Sequence, residues 1–235
     1  MTTKPITIDS PLDTMVNEED TELSQIRKNV TCCISDSFLP NQTANHYRNW
    51  STKYEVDMCK SGYHGHKQVT DAFLELKLDK NVKILDVLAG TGLVGKLLKE
   101  AGYKHIEAVD GCQGMLSVAQ QKQVYQKTHV THLLGTKKTD IPDETFDVLI
   151  FSGALAPGHL YPDTFPELLR ITKKGGLLCW SMRKEYVEKS PRFSTFREDV
   201  SQMVKDGIWE YFRPVRNTTN YLLDTDGLVY IMKKL

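Results

Sequence analysis

The 235-residue sequence contains no run near the eighteen or so consecutive apolar residues that a membrane-spanning helix needs, which argues against a membrane protein. Its start, Met1-Thr-Thr-Lys-Pro5, has no apolar stretch like that of a secretory signal, so the expected compartment is the cytoplasm, with the nucleus as the other choice. Cysteine is scarce. Cys32, Cys33, Cys59, Cys112 and Cys179 are odd in number and lack Cys-x-x-Cys spacing, so neither a disulfide framework nor a zinc site is expected. Net charge is also missing: 30 Lys and Arg balance 30 Asp and Glu. That speaks against recognition of nucleic acid or anionic membranes by bulk charge.

The neutral sum is unevenly spread. Residues 1–26 hold one base, Lys4, against Asp9, Asp13, Glu18, Glu19, Asp20 and Glu22, leaving 29 Lys and Arg against 24 Asp and Glu in the rest. With few large apolar residues, this segment cannot bury enough surface to offset its ordering entropy, so residues 1–40 are expected to form a flexible acidic arm. A short helix over 12–26 that docks on the domain is the alternative. Residues 41–79 read as a helical cap, with the aromatic stretch His46-Tyr-Arg-Asn-Trp50, then Tyr54 and Tyr63, and a helical pattern in Val69, Phe73 and Leu76.

Residues 80–235 alternate between strand and helix patterns. Largely apolar runs at 82–88, 105–109, 130–134, 146–151 and 177–182 read as strands. Between them lie helical patterns such as Leu93, Val94, Leu97 and Leu98. Such alternation predicts a Rossmann-like α/β fold, a seven-stranded and mostly parallel sheet with helices on both faces. Two last β-like runs, 209–214 and 228–234, predict an antiparallel hairpin at one sheet edge.

Gly90-Thr-Gly-Leu-Val-Gly95 follows a strand and opens a helix, with Asp110 eighteen residues beyond Gly92. Taken alone, this is a dinucleotide fingerprint, and an NAD(P)-dependent oxidoreductase is one function it permits. Asp86 points elsewhere. A carboxylate a few ångströms from a pyrophosphate costs on the order of a kcal/mol or more, whereas a ligand with an α-ammonium and a sulfonium is attracted. S-adenosylmethionine is such a ligand, and Asp110 stands where its ribose hydroxyls need an acceptor.

Ile84-Leu-Asp-Val-Leu-Ala-Gly-Thr-Gly92 resembles the first motif of class I S-adenosylmethionine-dependent methyltransferases, and Ala108-Val-Asp110 with Gly114-Met-Leu116 resembles the second. Phe146-Asp-Val-Leu-Ile150 and Leu169-Arg-Ile-Thr-Lys-Lys-Gly-Gly-Leu177 resemble the fourth-strand motif and the turn before strand five. Tyr47-Arg-Asn-Trp50, Gly62-Tyr63 and Val109-Asp-Gly111 are similar to a narrower group, the methyltransferase-like proteins related to the one encoded in the Williams–Beuren syndrome region. The resemblance implies a methyltransferase with S-adenosylmethionine as cofactor, S-adenosylhomocysteine as product, and a small-molecule or protein acceptor.

It also implies roles. Asp86 orients the methionine ammonium, Ala89, Gly90 and Gly92 bring the backbone close to the cofactor, and Asp110 takes the ribose hydroxyls. Met115 lies against the adenine face, Thr136 and Lys137 meet its edge, and Phe151 and Tyr54 close over the methionine end. Leu88 replaces the usual first glycine of the turn, and Thr136 the usual acid. These two departures leave open a methyltransferase-fold interaction protein without catalysis. His159, in the loop after the fourth strand, is the one candidate for a general base. Cys112 lies near a helix start, which can lower a thiol pKa, but is read as an uninvolved thiol. His64-Gly-His66 has no further ligand at metal spacing.

Overall fold

The structure, a computed structural model, describes residues 18–32, 40–133, 135 and 137–235. It opens with four helices, α1 (Glu18–Cys32), α2 (Pro40–Trp50), α3 (Tyr54–Lys60) and α4 (Gly65–Leu74). Helix α1 departs from the expected flexible arm. Ile26 and Val30, one helical turn apart, are buried against Trp50, Met58 and Tyr221, so an apolar stripe offsets the acidic start. The docked-helix alternative is the closer description. The remainder of the expected arm, 1–17 and 33–39, lies outside the described residues.

The sheet begins with β1 (Lys83–Val87), α5 (Leu93–Glu100), β2 (His105–Asp110), α6 (Gln113–Gln121), β3 (Lys127–Val130) and β4 (Phe146–Ser152). It continues with α7 (Phe165–Ile171), β5 (Thr172–Arg183), α8 (Lys184–Lys189), α9 (Phe196–Lys205), β6 (Trp209–Tyr211), β7 (Arg216–Leu222) and β8 (Thr225–Lys234). The strand order is β3-β2-β1-β4-β5-β8-β6, with β7 also paired to β8; β1 to β5 run parallel and β8 antiparallel to β5. This is the expected doubly wound sheet. Two details differ. The closing runs do pair antiparallel, but β7 intervenes and β8 lies inside the sheet, between β5 and the β6/β7 edge. Strand β3 falls earlier than 130–134, because an edge strand of polar and half-exposed residues carries no apolar run to mark it.

Alternation along the strands divides two cores. Leu85, Val87, Leu149, Phe151, Leu178 and Trp180 pack with α7, α8 and α9 on one face. Ile84, Ile106, Val148 and Ile150 pack on the other with Val69 and Phe73 of α4 and with Val94 and Leu98 of α5. Helix α4 thus belongs to the sheet's covering layer, not to a separate cap ending at residue 79. Among the described helices, α1 to α3 stand over the strand ends.

Candidate functional site

Strand register decides what reaches the site. On β1, β2 and β4 the even-numbered residues share the face of α4 and α5, with Asp86 level with Ala108 and Ile150. Asp86, Asp110 and Ser152 are therefore the polar residues with which these three parallel strands end on one face. The odd-numbered Phe151 is on the other face. It is 0% exposed, and its ring stacks on Trp180 with centroids 5.7 Å apart. It cannot close over a ligand at the strand ends; its neighbours Ser152 and Gly153 do border the cavity there.

That cavity, about 1080 Å³ including its mouth, lies between the strand ends and α1 to α3. Of the residues expected at the site, Tyr54, Gly90, Asp110, Met115 and His159 line it. Asp86 and Ala89 line an adjoining cleft of about 330 Å³, together with Tyr54, Leu88 and Gly90. Lys137 is exposed and outside both, and Thr136 lies outside the described residues.

Asp110 is 9% exposed and held on both oxygens: the Gly90 N–H donates to Oδ2 and the Cys112 N–H to Oδ1, each at 2.8 Å. Burial raises its pKa and these two bonds oppose the rise. A carboxylate offers about four lone-pair directions, so two remain for a ligand's hydroxyls. Gly90 has φ +55, and a Cβ there would sit 3.3 Å from Met115 Cε, so a bare backbone and a methionine form adjoining parts of the wall. Both features fit S-adenosylmethionine: Asp110 and Gly90 would hold the ribose, and Met115 the adenine face.

Asp86 has a different set of contacts from those expected. It is 1% exposed, and its Oδ2 accepts hydrogen bonds from Tyr125 Oη at 2.6 Å and from the Gly95 N–H at 3.1 Å. Burial pushes its carboxyl up to about 7, against the pull of those two bonds and helped by the charge of Asp110. Tyr125 is pushed well above its ordinary value, chiefly by burial and next by Asp86, so it stays a donor. The last glycine of the fingerprint serves this pair. A Cβ at Gly95 would come within 2.4 Å of the Tyr125 ring, and one at Gly92 within 3.1 Å. These glycines make room for a tyrosine, while Gly90 alone of the three borders the cavity.

Leu88, where a glycine is usual, has φ 51. Its backbone keeps the left-handed turn at a cost on the order of 1–2 kcal/mol, while its side chain packs partly buried against the core. Lys122 ties the turn to the cap, its Nζ bonding the Thr91 carbonyl and pairing with Glu55 of α3.

The cap wall is aromatic. Tyr47 stacks on Trp50 at 5.9 Å, both meet Tyr54 edge-on, and the Trp50 indole N–H donates to Asp57 at 2.6 Å. Opposite stands His159. Its Nδ1 lies 3.1 Å from the Pro157 carbonyl and its Nε2 2.8 Å from Tyr47 Oη. Burial lowers its pKa, the Pro157 bond opposes this, and His46 reinforces it. A directed chain runs nearby: Tyr63 Oη donates to Ser152 Oγ at 2.6 Å, Ser152 to Ser181 at 2.8 Å, and Ser181 to the Gly65 carbonyl at 3.0 Å. Cys112 is buried and its thiol pKa raised by burial, contrary to an activated thiol. Among the described residues, no group of three or more His, Cys, Asp or Glu is placed to hold a metal ion, and no helix is long and apolar enough to cross a membrane.

Sequence reasoning missed Tyr47, Tyr125 and Ser152. Ser152 is hidden at the end of a strand buried on both faces, and only its pairing with β1 places it on the face of Asp86. Tyr47 and Tyr125 reach the site from segments whose position only the fold supplies.

A β3-β2-β1-β4-β5 parallel sheet with an antiparallel strand inserted beside β5, and acids ending β1 and β2, defines the class I methyltransferase architecture. Residues 85–180 match the family described as "Methyltransferase domain". The human "Methyltransferase-like protein 27" is 29% identical over 198 residues, 83% of this chain and 79% of its own length. "Malonyl-[acyl-carrier protein] O-methyltransferase" of Serratia marcescens is 32% identical over 100 residues, 42% of this chain and 37% of its own. A solved Thermotoga maritima structure, described as a methyltransferase and "possible histamine N-methyltransferase", shares the fold with TM-score 0.54 and 16% identity, covering 80% of this chain and 98% of its own. The chain shares the fold of methyltransferase structures and matches a methyltransferase domain over residues 85–180.

Proposed function

We propose that the protein transfers a methyl group from S-adenosylmethionine to a small-molecule acceptor held under the α1 to α3 cap. The observation that carries this reading is Asp110, buried beside the bare backbone of Gly90 and opposite an aromatic roof across one cavity. When bound, S-adenosylmethionine supplies an electrophilic methyl group on a sulfonium. The chain's own part is positioning and exclusion of water. Asp110 and Gly90 would fix the nucleoside, Met115 would lie against the adenine, and Asp86 would contribute negative charge beside the turn. Tyr54, which lines both the cavity and the cleft, would bound the methionine end. A cavity roofed by three helices favours a small acceptor over a protein chain.

Calorimetric titration tests the reading. The expected result is binding of S-adenosylmethionine and S-adenosylhomocysteine with little affinity for NAD(P), and loss of both in Asp110→Ala. No heat with either ligand would leave a methyltransferase-fold interaction protein as the better account.

A further inference from the structure

We infer that the cap half of the cavity receives an uncharged aromatic alcohol, and that His159 Nε2 is the base that takes its hydroxyl proton. The inference rests on the cofactor reading above and names the acceptor class for the same site.

The tautomer follows from the partners. A carbonyl oxygen only accepts, so the contact to Pro157 at 3.1 Å requires a proton on Nδ1 and leaves the lone pair on Nε2. Tyr47 therefore donates its hydroxyl to Nε2 at 2.8 Å. The structure thus already shows a phenol O–H on this lone pair, and a phenolic acceptor presents the same group in competition with it. The ring is also held in place. Gly158 donates its N–H to Tyr161 Oη at 2.8 Å and its carbonyl accepts from Thr43 Oγ1 of α2 at 3.0 Å, which anchors the residue next to His159 from both sides.

The walls select the rest of the molecule. Trp50, Tyr54 and Tyr63 contribute aromatic surface suited to a flat apolar ligand. Among the described lining residues there is no Lys or Arg, and the single carboxylate is Asp110, in the cofactor half. An anionic acceptor meets no counter-charge, and an ammonium or guanidinium acceptor meets no second acid. In the reaction the acceptor O–H bond breaks and its proton passes to Nε2. The oxygen takes the methyl group, and the electron pair of the broken carbon–sulfur bond stays on sulfur. The products are a methyl ether, neutral S-adenosylhomocysteine and an imidazolium at His159, which returns its proton to solvent. Among the described residues, the titratable groups acting on His159 are Tyr47 and His46, both of α2.

The test uses the full chain and three probes of one shape, 2-naphthol, 2-methylnaphthalene and 2-naphthoate. Titrated without methyl donor at pH 7.5, 2-naphthol is expected to bind about tenfold tighter than either comparator, which is one charge-free hydrogen bond at ~1.4 kcal/mol per decade. The preference should vanish as the pH falls and Nε2 takes a proton, should vanish at every pH in His159→Leu, and should persist in Tyr47→Phe. With S-adenosylmethionine supplied, His159→Gln is expected to lower methyl-ether formation from 2-naphthol about 100-fold at pH 7, with KM little changed. The deficit should shrink towards pH ~10, where a phenol ionises unaided. Binding of 2-naphthoate as tight as that of 2-naphthol overturns the inference, as does a deficit that stays constant with pH. S-adenosylhomocysteine is titrated alongside. Its failure to bind refutes the cofactor reading, whereas its binding without naphthol preference removes the base and the acceptor class alone.

Discussion

Asp86→Asn is expected to make the protein more stable and less able to bind its cofactor. Asp86 is 1% exposed, and burial pushes its carboxyl to about 7 from an ordinary value of 3.8. The folded state therefore binds this proton more tightly than the unfolded chain. Stability is fully present below pH ~4, falls as the pH climbs towards 7, and is level above that. At ~1.4 kcal/mol for each tenfold change in proton affinity, the ceiling on this cost is ~4 kcal/mol at pH 8, and relaxation of the site reduces it to ~2–4 kcal/mol. Asparagine keeps an oxygen that accepts from Tyr125 and Gly95 but carries no charge. Urea denaturation without ligand should show the variant more stable by ~2–4 kcal/mol at pH 8 and within ~0.5 kcal/mol of the parent at pH 4. Affinity for S-adenosylmethionine should fall about tenfold, on the order of one partly buried charge contact. A variant equally or less stable at pH 8 would refute the reasoning, because Asp86 would then be a net structural contributor.

Other substitutions test other links. Gly95→Ala places a Cβ within 2.4 Å of the Tyr125 ring and should destabilise by ~2–4 kcal/mol; Tyr125→Ala in the same chain should recover part of that loss in a double-mutant cycle. Leu88→Gly relieves a left-handed leucine while removing a partly buried side chain, so the net change in denaturant midpoint should lie within ~1–2 kcal/mol, far below an ordinary buried Leu deletion. Val30→Asp puts a charge into the contact of α1 with Trp50 and Met58. It should undock the helix, and iodide quenching of Trp50 should rise while the stacked pair Trp180 and Trp209 stays protected.

Part of this candidate site was legible in the sequence, and the rest was hidden for identifiable reasons. Asp86 and Asp110 could be placed at neighbouring strand ends because their spacing is fixed by local geometry, one strand end to the next. Phe151 was misplaced by one residue, because β4 is buried on both faces and its apolar run hides its parity; only pairing with β1 shows that Ser152 shares the face of Asp86. Gly92 was expected against the cofactor and borders neither the cavity nor the adjoining cleft, for a similar reason. A motif reports that the backbone is approached closely but not by what, and here Tyr125, thirty residues beyond Gly95, is what approaches. Helix α1 was obscured by charge: its acids dominate a composition count, while among its described side chains Ile26 and Val30 carry the docking stripe. Tyr47 and His159 lie 112 residues apart, and no spacing rule connects them.

The most direct measurement of the central claim is a paired calorimetric titration of the unmodified protein and of Asp110→Ala with S-adenosylhomocysteine. The parent should bind at one site, and the variant, still folded by its cooperative thermal transition, should bind at least a hundredfold more weakly, since it loses the sole carboxylate in the cavity wall among the described residues. Equal affinity in the two proteins, or no binding by the parent, would contradict the assignment of this cavity to the methyl donor.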